Sequence, residues 1–304
     1  VKKNELISKN AKNENRIKIL ATGKEIKRNT FDFQQKYLMF TGYDDDIPQK
    51  YPDILEELDK YKNGLIKRYD QGLNYWNLRA CAYYEEMQQP KIIYPRINSQ
   101  GNFYLDEKGK VFLLDNNFFI STDSKSLLAL LNSKLIFFYL KNICTTLQGG
   151  FYDFRRDKIK TIPINKNFNE SDLELSNISE KLILATKNSH NQAEKFQNYL
   201  LSQFPVEKLS KKLQNWHELD FGEFIKELNK AINAANRERR KNEQPELPKL
   251  TKKDEFEWME LFEDNKKKAV ALQTQINQLD HQIDQMVYEL YGLTEEEIKI
   301  VEQS

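Results

Sequence analysis

Apolar positions in the first half of the chain fall into short runs. Ile17 to Leu20 stands alone in a polar stretch and predicts a strand or turn leading into a folded domain. Phe31 to Phe40 alternates and is aromatic, which predicts a strand. Ile92, Ile93 and Tyr94 run unbroken between Pro90 and Pro95, the pattern of a strand buried on both faces. Val111–Leu114 and Phe118–Ile120 predict two more strands joined by an Asp115-Asn116-Asn117 turn. Helical spacing appears twice. After Pro52 it is carried by Ile54, Leu55, Leu58, Tyr61 and Leu65, and within Ser124–Leu140 by Leu127, Leu128, Leu131, Leu135 and Phe138. Lys158 to Ile164 predicts a closing strand, at a sheet edge because Pro163 interrupts it.

The second half has a longer rhythm. A linker, Asn165 to Glu170, precedes Ser171 and Glu174, which have the spacing of a capping box. Leu175, Ile178, Leu182, Ala185, Ser189, Gln192, Phe196, Tyr199 and Gln203 then step by three and four. Ala269, Leu272, Ile276, Leu279, Ile283, Met286 and Leu290 repeat that step. Gly292 stands where a helix ends, and Thr294 with Glu297 restarts a short one. Leu209 to Phe262 holds enough aromatic and aliphatic residues for a small helical cap. The basic run Arg237 to Lys241 beside Pro245 and Pro248 predicts a loop. The expected class is α+β. A mixed α/β domain spans residues 1–165, and a long antiparallel helical spacer spans 166–304, with a helical insertion at about 205–262.

Net charge is +1 over 304 residues, but it conceals an asymmetry. Residues 1–165 carry +7 and residues 166–304 carry −6. A basic first half beside an acidic second half fits a polyanion-binding face on one domain only. Cys81 and Cys144, with His190, His217 and His281, offer no zinc spacing and no disulfide framework, so a reducing cytoplasm is expected. No run of eighteen apolar residues predicts a membrane span. The chain opens on Val1 in a polar stretch, the expectation for a piece of a longer polypeptide. The carboxylates Asp44, Asp45 and Asp46 predict a solvated loop rather than a metal site, since adjacent side chains point apart.

Residues 67–97 mix the groups that nucleic acids need. Lys67, Arg68, Arg79 and Arg96 can reach phosphates or guanine edges, Gln71, Asn74 and Asn77 can reach adenine edges, and Tyr69, Tyr75 and Trp76 can stack or wedge. Gln148-Gly149-Gly150, with Tyr152, Arg155 and Arg156 behind it, allows a backbone to come close to another group. The same residues would equally serve a core and a tight turn between helix and strand.

The order of blocks resembles type IIG restriction-modification enzymes, in their C-terminal TaqI-like specificity domain. The segment Lys67 to Arg79 leads into Pro90 to Ile97 as a K-R-Y-D-x-G-x-x-x-W-x-L-R block leads into a P-K-I-I strand in that family. Gly23-Lys24-Glu25-Ile26-Lys27-Arg28 is similar to the block that opens the domain, departing at Asn29, where an aromatic usually stands. Leu130 to Leu135, Gly149-Gly150-Phe151, Ile162-Pro163-Ile164 and the tail Ile283 to Thr294 continue the series. The resemblance implies sequence-specific recognition of double-stranded DNA. It implies contacts from Lys24, Lys27, Arg28, Lys67, Arg68, Tyr69, Gln71, Asn74, Trp76, Arg79, Arg96, Gln148, Gly149, Gly150, Tyr152, Arg155 and Arg156. It further implies a parent enzyme whose upstream domains carry adenine-N6 methylation with S-adenosylmethionine and DNA cleavage with Mg2+. This chain lacks an N-P-P-Y motif, a cofactor-binding glycine loop and a nuclease triad, so it is expected to be non-catalytic and to hold no cofactor itself. Two other readings stay open: a free-standing specificity subunit like those of type I systems, and a protein-interaction scaffold built on the paired helices.

Overall fold

A computed structural model describes residues 2–206 and 208–304, with the side chains of 169–172 also outside the described residues. The architecture is α+β. The chain divides into two units, Val1–Asn177 with Met286–Ser304, and Ile178–Gln285.

Among the described residues, the first unit holds eleven short strands: β1 (Ile17–Ala21), β2 (Ile26–Lys27), β3 (Thr30–Phe31), β4 (Tyr37–Met39), β5 (Lys91–Pro95), β6 (Ile97–Asn98), β7 (Tyr104–Asp106), β8 (Val111–Leu113), β9 (Asn117–Ser121), β10 (Thr145–Leu147) and β11 (Phe151–Asp153). They form small sheets ordered β4-β1-β8, β7-β5-β9, β10-β11-β6 and β2-β3. The apolar run predicted for burial becomes β5, with every residue from Lys91 to Pro95 buried and both edges paired. Ala21, Ile26, Ile93 and Val111 join three of the sheets into one core. The Asp115–Asn117 turn carries the chain from β8, which pairs with β1, to β9, which pairs with β5.

Four expected elements are broken or replaced. Phe31–Phe40 is not one strand: Gln35 turns to φ 53°, separating β3 from β4. The helix after Pro52 runs Pro52–Asp59 and resumes at Lys62–Leu65. Ser124–Leu140 splits into Lys125–Leu131 and Lys134–Ile143. The split is local chemistry. The Ser133 hydroxyl accepts from Ile136 N–H and starts a new helix. The buried Asn132 side chain meanwhile bonds both backbone groups of Phe103 and the Asn29 side-chain Oδ1. Lys158–Ile164 is not a strand either. Arg156–Ile159 forms a helical turn, and the chain continues irregularly through Pro163.

At the far end of the chain, Gly292 closes a helix at φ 67°, and the expected short helix restarts at Thr294, which forms a capping box with Glu297. Tyr288 and Lys134 both reach Glu302, so the terminal helix Glu295–Glu302 docks on the first unit. Replacing Thr294 with alanine removes the cap and should cost about 1 kcal/mol, read as a shift in the urea midpoint.

The Ile178–Gln285 unit contains most of two long helices, Phe168–Gln203 and Lys252–Tyr291, with Lys211–Gln214 and Phe221–Lys241 between them. The first long helix starts at Phe168, inside the expected linker and ahead of Ser171, whose side chain lies outside the described residues. The second starts at Lys252, so Phe256 to Phe262 belong to it and not to a separate cap. Arg237–Lys241 is the last turn of a helix, not a loop. The long helices run antiparallel: Gln192 bonds Asn265, while Tyr199 meets Trp258. The buried stripe drifts by one position along the first of them, so that Leu200 and Phe204 are buried and Tyr199 and Gln203 face out. Trp216 is fully buried, 4.1 Å from Phe196 between ring centres, and Phe224 stacks on Phe262 at 4.6 Å. That aromatic knot is the core of this unit.

Candidate functional site

The loop from Lys67 to Arg79 is held down by its own polar groups. Asn77 is 0% exposed. Its Nδ2 donates to the carbonyls of Gly42 and Asp45 at 2.7 and 3.1 Å, and its Oδ1 accepts from Asn74 N–H and Nδ2–H. Arg68 turns inward and donates to the carbonyls of Tyr75 and Asn77 at 2.7 and 2.9 Å. Leu73 N–H and Leu78 N–H donate to the carbonyls of Tyr43 and Thr41. Gly72 packs closely on the Tyr43 segment, and a β-carbon there would stand 2.4 Å from the Tyr43 carbonyl oxygen. Trp76 packs beside Ile47, Ile54 and Leu58. Lys67, Tyr69, Gln71, Asn74 and Arg79 remain at the surface, with Arg79 beside Asp70 at 3.3 Å. Two of the three adjacent aspartates have separate structural duties. Asp45 pairs with Arg16, and Asp46 caps the helix that begins at Ile47.

A second group gathers at the Pro95 end of β5. Arg96 grips Asp153 through two bonds of 2.7 and 2.8 Å. The bond to Arg96 holds the Asp153 carboxyl below its ordinary range, and the Asp153 bond in turn raises the guanidinium. Arg96 N–H donates to Asn116 O and Arg96 O accepts from Phe154 N–H, so four chain segments meet there. The fourth is the block opened by Gly23. Its φ is 101°, and a β-carbon on it would stand 2.8 Å from Asn117 Oδ1. Lys24 and Lys27 are exposed on this block, while Arg28 is half-buried. Asn29, the departure from the family pattern, sits at φ 59° with its N–H on Phe103 O, a conformation asparagine tolerates and an aromatic does not.

The paired glycines form the tip of a β-hairpin between β10 and β11 and do not join a helix to a strand. Gly149 and Gly150 take φ of 84° and 76°. A β-carbon on Gly150 would meet nothing within 4 Å, so dihedral freedom rather than crowding calls for glycine there. Gln148, Gly149 and Gly150 are exposed, and Tyr152 packs edge-on against Phe137. Arg155 and Arg156 follow at the surface, with Arg155 near Asp157 at 3.4 Å.

The expected residues thus fall into two groups, one latched to Thr41–Asp46 and one around Pro95 with the hairpin. Lys24, Lys27, Lys67, Arg79, Arg155 and Arg156 present charge to solvent. Arg68 and Arg96 are engaged internally, and Asn77 is the organising residue of the loop. Asn77 differs from its neighbouring amides only in burial, which local sequence does not report. Among the described residues no three His, Cys, Asp or Glu side chains come together as a metal site. Burial pushes the Cys144 thiol up to about 11. No helix among the described residues is long and apolar enough to cross a membrane.

Residues 18–164 match the TaqI-like C-terminal specificity domain, and residues 168–287 match a domain of unknown function (DUF8810). A solved structure of the type IIL restriction-modification enzyme MmeI in complex with DNA is similar at a TM-score of 0.46 and 12% identity, over 89% of this chain. The chain spans 33% of that protein. No curated protein matches this chain in sequence. Residues 18–164 carry the sequence pattern of a TaqI-like C-terminal specificity domain.

Proposed function

We propose that this chain, with its TaqI-like specificity domain over residues 18–164, reads a short sequence in double-stranded DNA for a type IIG enzyme. Adenine-N6 methylation, cleavage, S-adenosylmethionine and Mg2+ would then belong to other domains of the parent polypeptide. The observation that carries this reading is the set of six exposed cations, Lys24, Lys27, Lys67, Arg79, Arg155 and Arg156, on the half of the chain with charge +7. Arg155 and Arg156 follow an exposed glycine tip that lets backbone approach a duplex. Arginine on such a face can fork onto guanine, while lysine acts as a point charge for phosphate. Arg68 and Arg96, being bonded inside, shape the surface that the others decorate. The paired helices would act as a spacer that keeps this surface at a fixed distance from neighbouring domains.

Binding to duplex DNA should weaken steeply with salt, with a log–log slope of up to roughly −5 if all six cations meet phosphate. A titration from low to physiological salt measures it, and a flat response would remove the electrostatic basis of the proposal. Within the parent enzyme, methylation of a library of single-base site variants separates reading from positioning. Arg155→Ala or Arg156→Ala should cost about 1–3 kcal/mol on the cognate site and relax preference at one position. Lys24→Ala, Lys27→Ala and Lys67→Ala should lower activity evenly across the library.

A further inference from the structure

The Lys67–Arg79 loop carries two apolar side chains that fold stability does not account for. Tyr69 is 101% exposed and Leu73 is 66% exposed, and both lie within seven residues of Lys67. Exposed apolar residues are ordinary on floppy loops, but this loop is not floppy. Arg68, next to Tyr69, is pinned to two carbonyls, and Leu73 is pinned by its own N–H to Tyr43 O. Gly72 packs so closely on Tyr43, Asn77 and Leu78 that no side chain fits there. A fully buried asparagine anchors the whole bracket to Gly42 and Asp45. A rigid frame therefore holds an aromatic ring and a leucine out in water. Lys62, Lys67 and Arg79, near them in the chain, are exposed cations, and Lys60 is exposed but paired with Glu57. The nearby acids are already engaged, Asp59 by the Tyr75 hydroxyl and Asp70 by Arg79.

We infer that Tyr69 and Leu73 form a wedge that enters a base step of duplex DNA, with Lys67 on the adjoining phosphate. The inference deepens the DNA-reading proposal and rests on it. The chemistry is complementary at each point. A flat ring offers a π-face to a base, a branched aliphatic fills the gap left by unstacking, and the flanking ammonium groups meet the phosphates on either side of the step. Rigidity is what makes the wedge effective, because a loop already ordered loses little entropy when it inserts. A kink or an opened step at this point would also ease rotation of a neighbouring base out of the helix, which any enzyme acting on a base within a duplex requires.

The test uses the intact chain carrying Tyr69→Trp, with the wild-type emission as background, and duplexes recovered from a randomised pool by binding to the wild-type chain. On saturation with DNA the introduced indole should lose about half or more of its emission and become shielded from acrylamide, as a stacked ring is. Tyr69→Ala with Leu73→Ala should weaken binding roughly tenfold, the size of one lost stack, at an unchanged salt slope. Lys67→Ala should make that slope shallower by about one unit. If the chain binds DNA while the indole stays as accessible as in the free protein, the wedge is wrong and the DNA-reading proposal survives. If no duplex binds at any salt concentration, both fail together.

Discussion

Asp106→Ala is expected to destabilise the first unit by about 3–5 kcal/mol, the range for stranding one member of a buried ion pair. Lys91 is 0% exposed, at the head of a strand whose other members are apolar. Its ammonium lies 2.6 Å from Asp106 Oδ2 and 2.6 Å from the Met87 carbonyl oxygen. The two charged residues stand directly opposite each other in the β5–β7 ladder. Burial lowers the lysine pKa, against the raising effect of the Asp106 bond. The carboxylate also accepts the N–H groups of Lys110 and Val111, which turn the chain into β8. Alanine would leave a buried ammonium with one acceptor and two amides with none. Lys91→Met with Asp106→Asn removes both charges and keeps an acceptor for one of the two amides. It should recover part of the loss, because a neutral pair avoids the desolvation cost. Urea denaturation of the single and double variants checks this. A cost below about 1 kcal/mol for Asp106→Ala would mean that water or a rearranged backbone replaces the carboxylate. Since β5 ends at Pro95, where Arg96 and the Gly23 block meet, DNA binding should fall in parallel with folded fraction.

Lys91 and Asp106 also show what local pattern could and could not reveal. The buried strand was legible because an unbroken apolar run between two prolines has few other solutions. The partner of the lysine at its head lies fifteen residues away, and only the ladder register sets them face to face. Arg96 is the same case at greater distance. Its partner, Asp153, is 57 residues on, so an arginine that looks free in the sequence is closed into an ion pair in the fold. The three-and-four rhythm of the long helices survived because it repeats over many turns, but their ends did not. The second one begins at Lys252, where Thr251 and Asp254 exchange hydrogen bonds, and runs through residues whose aromatic content suggested a separate cap. The predicted helix over Ser124–Leu140 failed at Asn132 because that residue answers to Phe103 and Asn29, which are distant in the chain. The candidate surface was legible as composition, in its glycines, aromatics and cations. Its division into inward and outward groups was not, because burial of Asn77 and Arg68 depends on the Thr41–Asp45 segment beneath them.

The block that opens the domain should impose an acid limit on stability, through Glu25. This carboxyl is 1% exposed, between Lys24 and Ile26. Burial pushes its pKa up, but the bonds from Lys36 Nζ and from the Thr22 hydroxyl and N–H outweigh burial and hold it down at about 2, against 4.5 for a free glutamate. Because the folded value is the depressed one, the carboxylate contributes its full stabilisation above about pH 4.5. That contribution fades as pH falls and is gone below about pH 2. The gap corresponds to about 2–3 kcal/mol at neutral pH, reduced from the bare shift because Lys36 is half in water. Glu25→Gln keeps the shape and one acceptor but not the charge, so it should be less stable than the wild type at pH 7 by that amount. The difference should close between pH 4.5 and 2. Chemical denaturation of both proteins at pH 7, 4 and 2.5 measures the closing gap, and parallel curves across that range would show that Glu25 is not the titrating group. The consequence reaches the surface. Glu25 fixes the turn from Thr22 to Lys27, which ends in the β2–β3 pairing of Lys27 with Thr30. Loosening that turn frees Lys24 and Lys27 to move. DNA affinity of Glu25→Gln at neutral pH should therefore drop with an unchanged salt slope, since both ammonium groups are still present but no longer held in register with the phosphates.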